Sequence, residues 1–117
     1  MKKIYISGPM TDYDDFNYPA FNAAAAALAA NGWLPLNPAC NFGGNQGLPL
    51  EEYMKMDLQH ILMADAIYLL PGWEHSKGAN VELTVARAIG LPVFAADNGI
   101  PEDLGTNHAR FRIETGV

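Results

Sequence analysis

Residues 66–96, AIYLLPGWEHSKGANVELTVARAIGLPVFAA, decide the fold. Ala66-Ile67-Tyr68-Leu69-Leu70 is a short apolar run rich in strand-forming residues, and Pro71-Gly72-Trp73 turns it into a loop. From about Ala79 to Ile89 the apolar positions recur at helical spacing until Gly90 stops them. Pro92-Val93-Phe94-Ala95-Ala96 then reads as another strand. Strand, helix and strand joined by short connections make a βαβ unit, whose strands run parallel.

The same alternation extends upstream. Lys3-Ile4-Tyr5-Ile6-Ser7 reads as a strand closed by Gly8-Pro9, followed by a polar loop from Thr11 to Tyr18. Pro19 suits the first turn of a helix that runs through an alanine tract to Ala30 and closes on Asn31-Gly32. Alanine is the best helix former, and its small side chain lets a helix lie close against a sheet. Trp33 to Asn37 reads as a strand that Pro35 confines to a sheet edge. An Asn-, Gly- and Pro-rich loop from Pro38 to Pro49 leads into a helix from about Leu50 to Ala64. Four strands and three helices predict an α/β fold, a flavodoxin-like (Rossmann-like) three-layer sandwich with a mainly parallel sheet of order 2-1-3-4. Arg110 to Ile113 is a weak candidate for a fifth strand. Such sheets bind ligands beyond the carboxyl ends of their strands, which places Ser7 to Asp12, Pro71 to Gly78 and Asp97 to Gly99 around one cleft.

The 117 residues, half of them hydrophobic and 17% charged, suit a single domain spanning residues 1–117 and exclude intrinsic disorder. No apolar run approaches the roughly 20 residues that span a bilayer. Met1-Lys2-Lys3-Ile4-Tyr5 leads straight into a strand, so no secretory leader is expected and the predicted location is cytoplasmic. The net charge is −6, and the seven basic residues are scattered, which argues against duplex nucleic acid as a partner. Cys40 is the lone cysteine and cannot form an internal disulfide. His60, His75 and His108 lack metal-ligand spacing, so no metal is expected. A small-molecule partner remains.

Two carboxylates stand out. On a helical wheel Asp57 falls with Leu50, Ile61 and Ala64, opposite Glu51, Glu52, Lys55 and Gln59. A carboxylate on an apolar face is either a structural group bonded to backbone amides or an arginine, or a catalytic acid with a raised pKa. Glu82 falls in the first turn of the third helix, on the side of Ala86 and Ile89. There it either offsets the helix dipole or serves chemistry. Paired carboxyls near strand ends are the minimum kit for cleaving a glycosidic bond. Ser76-Lys77-Gly78-Ala79 at a helix N-terminus is either ordinary turn chemistry or an anion site. Trp73 either stacks on a base or caps the core edge. Ser7 lacks a nucleophile-elbow context, and Gly43-Gly44-Asn45-Gln46-Gly47 fits neither a dinucleotide fingerprint nor a P-loop and reads as a lid or spacer.

Ile4-Tyr5-Ile6-Ser7-Gly8-Pro9-Met10, Met56-Asp57-Leu58, Asp65-Ala66, Ser76 to Leu83, Ala86-Arg87-Ala88 and Gly90-Leu91-Pro92-Val93 together resemble the nucleoside 2-deoxyribosyltransferase superfamily. More narrowly, the chain is similar to the small branch, common in phages and bacteria, known as DUF4406, with its Gly-Pro-Met after the first strand and Pro-Gly-Trp after the third. The likeness covers about residues 3–96 and leaves 97–117 irregular. The superfamily includes deoxyribosyltransferases and N-glycosidases of nucleoside 5′-monophosphates. The resemblance implies a catalytic glutamate at Glu82, a proton-handling aspartate at Asp57 and an orienting tyrosine at Tyr5. It matches Ser76 and Gly78 to a 5′-phosphate loop, and substrate binding is expected from Ser7, Gly8, Pro9, Met10, Trp73, Ser76, Gly78 and Ala79. Asn80 departs from the glycine usual in the monophosphate hydrolases. A homodimer or higher homo-oligomer is expected on the same ground, with Asn98 and Asn107 as candidates for residues lent to a neighbouring site.

The expected function is cleavage of the N-glycosidic bond of a nucleoside or nucleoside 5′-monophosphate, by hydrolysis rather than transfer, without metal or organic cofactor. The alternative is a non-catalytic nucleotide-binding or sequestering module. A flavodoxin-like electron carrier is disfavoured, because the loop after the first strand lacks a Ser/Thr-rich phosphate cradle.

Overall fold

The computed structural model describes residues 1–102. The candidate strand at Arg110–Ile113 and Asn107 lie outside the described residues. In chain order the elements are β1 (Lys3–Ser7), α1 (Tyr18–Ala30), β2 (Leu34–Leu36), α2 (Leu50–Met63), β3 (Ala66–Leu69), α3 (Lys77–Ala88) and β4 (Val93–Ala95), with short 3-10 turns between them. The four strands form one sheet in the order β2-β1-β3-β4. Every pairing is parallel, with Tyr5 opposite Leu36 and Ile67, and Leu69 opposite both Ser7 and Ala95. Pro35, which has no N–H to donate, sits on edge strand β2 as its chemistry requires.

The period-2 alternation of the strands divides the core in two. Ile4 and Ile6 face α1, where they meet Phe21, Leu28, Tyr68 and Phe94. Tyr5, Ile67, Leu69 and Val93 face the other way, toward Ile61 of α2 and Leu83 and Ala86 of α3. Each fully buried aliphatic or aromatic side chain of this kind contributes about 1.5–3 kcal/mol of burial free energy. Trp33 is sealed under the α1 layer, with its ring edge-on to Phe94 at 6.0 Å and its indole N–H donating to the Pro101 carbonyl at 2.8 Å. No helix among the described residues is long and apolar enough to cross a membrane.

Two glycines bring the loops above β1 and β3 together. A Cβ on Gly8 would lie 2.8 Å from Leu70 Cβ, and one on Gly72, where φ is +89°, would lie 2.8 Å from the Tyr13 hydroxyl. Neither position has room for a side chain.

Helix limits differ from the sequence reading at α3. It starts at Lys77, two residues early, because Ser76 Oγ accepts the Ala79 N–H at 3.1 Å and caps it. Glu82 is therefore in the second turn, where the dipole effect has largely faded. Leu50, used above to mark the buried face of α2, is 70% exposed. In α2 itself only Ile61 is fully buried, so the Asp57 face looks into a cavity rather than a dry core.

Candidate active site

Alternation along β1 puts Tyr5 and Ser7 on the face covered by α3, and helical spacing puts Ala79, Glu82, Leu83 and Ala86 on the face of α3 that covers them. Glu82 thus arrives over the end of β1. Ser7 Oγ donates to Glu82 Oε1 at 2.6 Å, and the Tyr5 hydroxyl donates to Oε2 at 3.0 Å. Both bonds are buried, and each carboxylate oxygen has its own donor. Asp57 of α2 completes the group. It is half-buried, and Glu82 and Tyr5 both act on its carboxyl. Asn41, in the tight turn that follows β2, donates from Nδ2 to Asp57 Oδ1 at 2.7 Å.

This cluster lies at one wall of a cavity of about 710 Å³. Gly8, Pro9 and Met10 from the β1 loop line it, as do His75, Ser76, Lys77, Gly78 and Ala79 from the start of α3. Tyr13, Phe16, Tyr18, Phe21 and Tyr53 line it too, an aromatic wall suited to a flat ring. Part of that wall is strained, since Asp12, Asp15, Phe16 and Asn17 have φ of 68°, 52°, 50° and 62°. Left-handed non-glycine residues cost roughly 1–3 kcal/mol each and gather at functional sites. Asn17 helps hold the segment by donating to the Pro9 carbonyl at 3.0 Å.

Electrostatics single out the carboxyl pair. Burial, reinforced by the neighbouring Asp57 charge, pushes the Glu82 carboxyl up to about 8, against the pull of its Ser7 and Tyr5 donors. Burial also raises Asp57, while hydrogen bonds with Glu82, Asn41 and Tyr5 hold it down. Tyr5 is raised well above its ordinary value, first by burial and then by the two carboxylates. Two neighbouring carboxyls, one of them buried, cannot both ionise freely, so at neutral pH the pair holds a proton between them. Such a pair can present a nucleophilic or charge-stabilising carboxylate beside a proton donor.

Of the residues singled out from sequence, Tyr5, Asp57, Glu82, Gly8, Pro9, Met10, Ser76, Gly78 and Ala79 all line the cavity. Ser7 does not: it is fully buried behind Glu82, so it reaches that carboxylate and not the cavity. Trp73 does not line it either, and packs against the core cluster of Tyr5, Ile67 and Leu69. Asn98 lies on an exposed turn beyond β4, away from the cavity. Asn80 ties down the turn before α3, its amide donating to the carbonyls of Trp73, Glu74 and Ser76 at 2.8–3.2 Å. Asn41 was missed, because an irregular Asn-, Gly- and Pro-rich loop has no periodicity to show which of its polar residues points inward. Among the described residues no group of three or more His, Cys, Asp or Glu side chains is placed to hold a metal ion.

Residues 2–95 match the family described as a domain of unknown function, DUF4406. No curated protein matches the chain. Among solved structures, a 2-deoxyribosyltransferase from Bacillus psychrosaccharolyticus is similar, with a TM-score of 0.63 and 23% identity over 80% of this chain and 70% of that one. A 2-deoxyribosyltransferase from Leishmania mexicana gives 0.63 and 22% over 100% and 81% of the two chains. A CMP N-glycosidase from Clostridium botulinum gives 0.55 and 18% over 80% and 67%. At these identities the likeness is one of fold. The chain belongs to the DUF4406 family, and its fold is that of the nucleoside 2-deoxyribosyltransferase-like superfamily.

Proposed function

We propose that this protein cleaves the N-glycosidic bond of a nucleoside or nucleoside 5′-monophosphate. The observation that carries the reading is the Glu82–Asp57 pair at the cavity wall, with both oxygens of Glu82 held by hydroxyls of β1. With the proton that the pair shares moved onto Asp57, an oxygen of ionised Glu82 attacks C1′ of the sugar as the C1′–N bond breaks, and the bonding electrons leave with the base. Asp57 delivers a proton to the base nitrogen that receives them. Water then attacks C1′ of the glycosyl-enzyme, Asp57 takes the water's proton, and Glu82 is released as carboxylate. Tyr5 and Ser7 hold Glu82 and favour its ionised form, because both donate to it. The aromatic wall receives the base, and the start of α3 with Lys77 receives a 5′-phosphate. That anion site favours a monophosphate substrate, and with it hydrolysis over transfer.

A second reading, a non-catalytic nucleotide-binding module, draws on one observation. A Glu82 carboxyl raised to about 8 stays protonated in the free protein at neutral pH and can serve as a hydrogen-bond donor to a ligand. Base release separates the two. Purified protein is incubated with ribo- and deoxyribonucleosides and their 5′-monophosphates, with and without an acceptor base, and free base is resolved by chromatography. Release from a member of the panel, reduced about a thousandfold or more in a folded Glu82→Ala variant, supports the enzyme. Undiminished release in that variant overturns the mechanism. Retention of nucleotide without any release supports the binding module.

A further inference from the structure

Among the described residues the buried polar side chains are Ser7, Asn41 and Glu82, and all three meet in the same carboxyl group pair. Ser7 and Glu82 are accounted for above. Asn41 is 6% exposed and does not line the cavity, so it touches no bound substrate. We propose that Asn41 is a positioning residue for Asp57, its amide fixing Oδ1 so that the proton Asp57 gives and takes is carried on Oδ2. The inference rests on the glycosidic reading above for what that proton does.

Other bonds also hold the loop. Asn37 Oδ1 accepts the Ala39 N–H at 3.0 Å, and the Asn37 carbonyl accepts the Cys40 N–H at 3.0 Å. Further on, the Tyr53 hydroxyl accepts the Leu48 N–H and donates to the Asn45 carbonyl. Gln46 donates to Asp15 at 3.0 Å. With both ends of the loop tied elsewhere, the Asn41 amide is spent on Asp57 alone.

The chemistry of the amide fits the task. Asn Nδ2 is a donor that neither gains nor loses a proton across the working pH range. At 2.7 Å it occupies Asp57 Oδ1 in both protonation states, leaving Oδ2 to carry the acid proton. The titratable groups that act on Asp57 are Glu82 of α3, Tyr5 of β1 and His60 on its own helix, and the Asp57 charge in turn raises Tyr18 of α1. Asn41 is the donor beside them that does not titrate, and its bond favours the ionised form.

The test follows the Asp57 carboxyl carbon by NMR through a pH titration of labelled protein, in wild type and in Asn41→Ala and Asn41→Leu variants. The midpoint is expected to rise by about one pH unit in the variants, since a donor to the charged form has gone. In the base-release assay, kcat falls about 10- to 100-fold with KM nearly unchanged, and the alkaline limb of the pH profile, where Asp57 loses the proton it donates, moves up. An unmoved Asp57 midpoint overturns the proposal, as does a loss confined to KM. Failure of both variants to fold overturns it too, by making Asn41 a structural residue. If wild type releases no base, the enzymatic reading falls on its own, and the titration still decides whether Asn41 governs Asp57.

Discussion

Replacing Glu82 with Gln removes an ionisation that burial and a neighbouring charge oppose, and its effect on stability has a definite sign. In the unfolded chain the carboxyl titrates near 4.5, whereas in the folded protein burial and the Asp57 charge push it up to about 8. Between those values the folded protein keeps a proton that the unfolded chain has lost. Stability therefore falls as pH rises through that window, and its full contribution is present only below the unfolded value. A shift from 4.5 to about 8, at about 1.4 kcal/mol per unit, makes the total loss on the order of 5 kcal/mol. Typical domains have only about 5–15 kcal/mol in all. Asp57, also raised by burial, adds a slope of the same sign. Urea unfolding at a series of pH values reads this directly. Wild type is expected to weaken from mildly acidic to mildly alkaline pH, and Glu82→Gln to keep only the shallower slope that Asp57 leaves and to be the more stable protein at the alkaline end. Parallel pH dependence in the two proteins would refute the reasoning, because the slope would then belong to other groups.

Two further substitutions test the surroundings of that carboxyl. Tyr5→Phe removes the donor to Glu82 Oε2 and leaves Ser7 on Oε1. Base release is expected to drop about 10- to 100-fold, with the acid limb of the pH profile moving up because a bond favouring ionised Glu82 has gone. An unchanged profile in folded protein would show that Tyr5 does not act on Glu82. Gly8→Ala places a Cβ 2.8 Å from Leu70 Cβ, and the overpacking is expected to cost about 1–3 kcal/mol. A urea midpoint equal to that of wild type would mean that the β1 and β3 loops separate easily, against the close packing seen here.

The sheet was legible because each strand follows a rule that acts locally. Ile4 and Ile6 alternate with Tyr5 and Ser7, and that alternation alone predicts two faces for β1. Pro35 announces an edge, and β2 is one. The site was legible to the extent that helical spacing carries it, hence Glu82 with Ala79 and Ala86. Spacing says nothing of what lies opposite a face. Leu50 marked the correct side of α2 and yet is exposed, because the cavity rather than the core lies beyond its first turn. The start of α3 was misplaced because Lys77-Gly78 reads as turn until Ser76 is seen to cap the helix. Ser7 was read as touching substrate, since nothing in a strand pattern reveals that a carboxylate 75 positions away will bury it. Asn41 and Trp73 depend on loop paths, which only tertiary packing determines.

The placement of Glu82 is itself informative, because a purely structural buried carboxylate has an easier solution. An arginine or lysine against it would offset desolvation and lower its pKa. Here the leading charge acting on Glu82 is another carboxylate, Asp57, which makes its ionisation harder still. The donors that partly offset this are the neutral hydroxyls of Ser7 and Tyr5, and Asp57 likewise has a neutral donor, the amide of Asn41. Neutral donors stabilise a carboxylate without fixing its charge, so the pair can exchange a proton where a salt bridge would hold both groups ionised. A fold selected only for stability would replace either carboxyl with an apolar residue. Keeping both, at the wall of a cavity wide enough for a nucleotide, is the arrangement expected where acid and carboxylate must trade roles during a reaction.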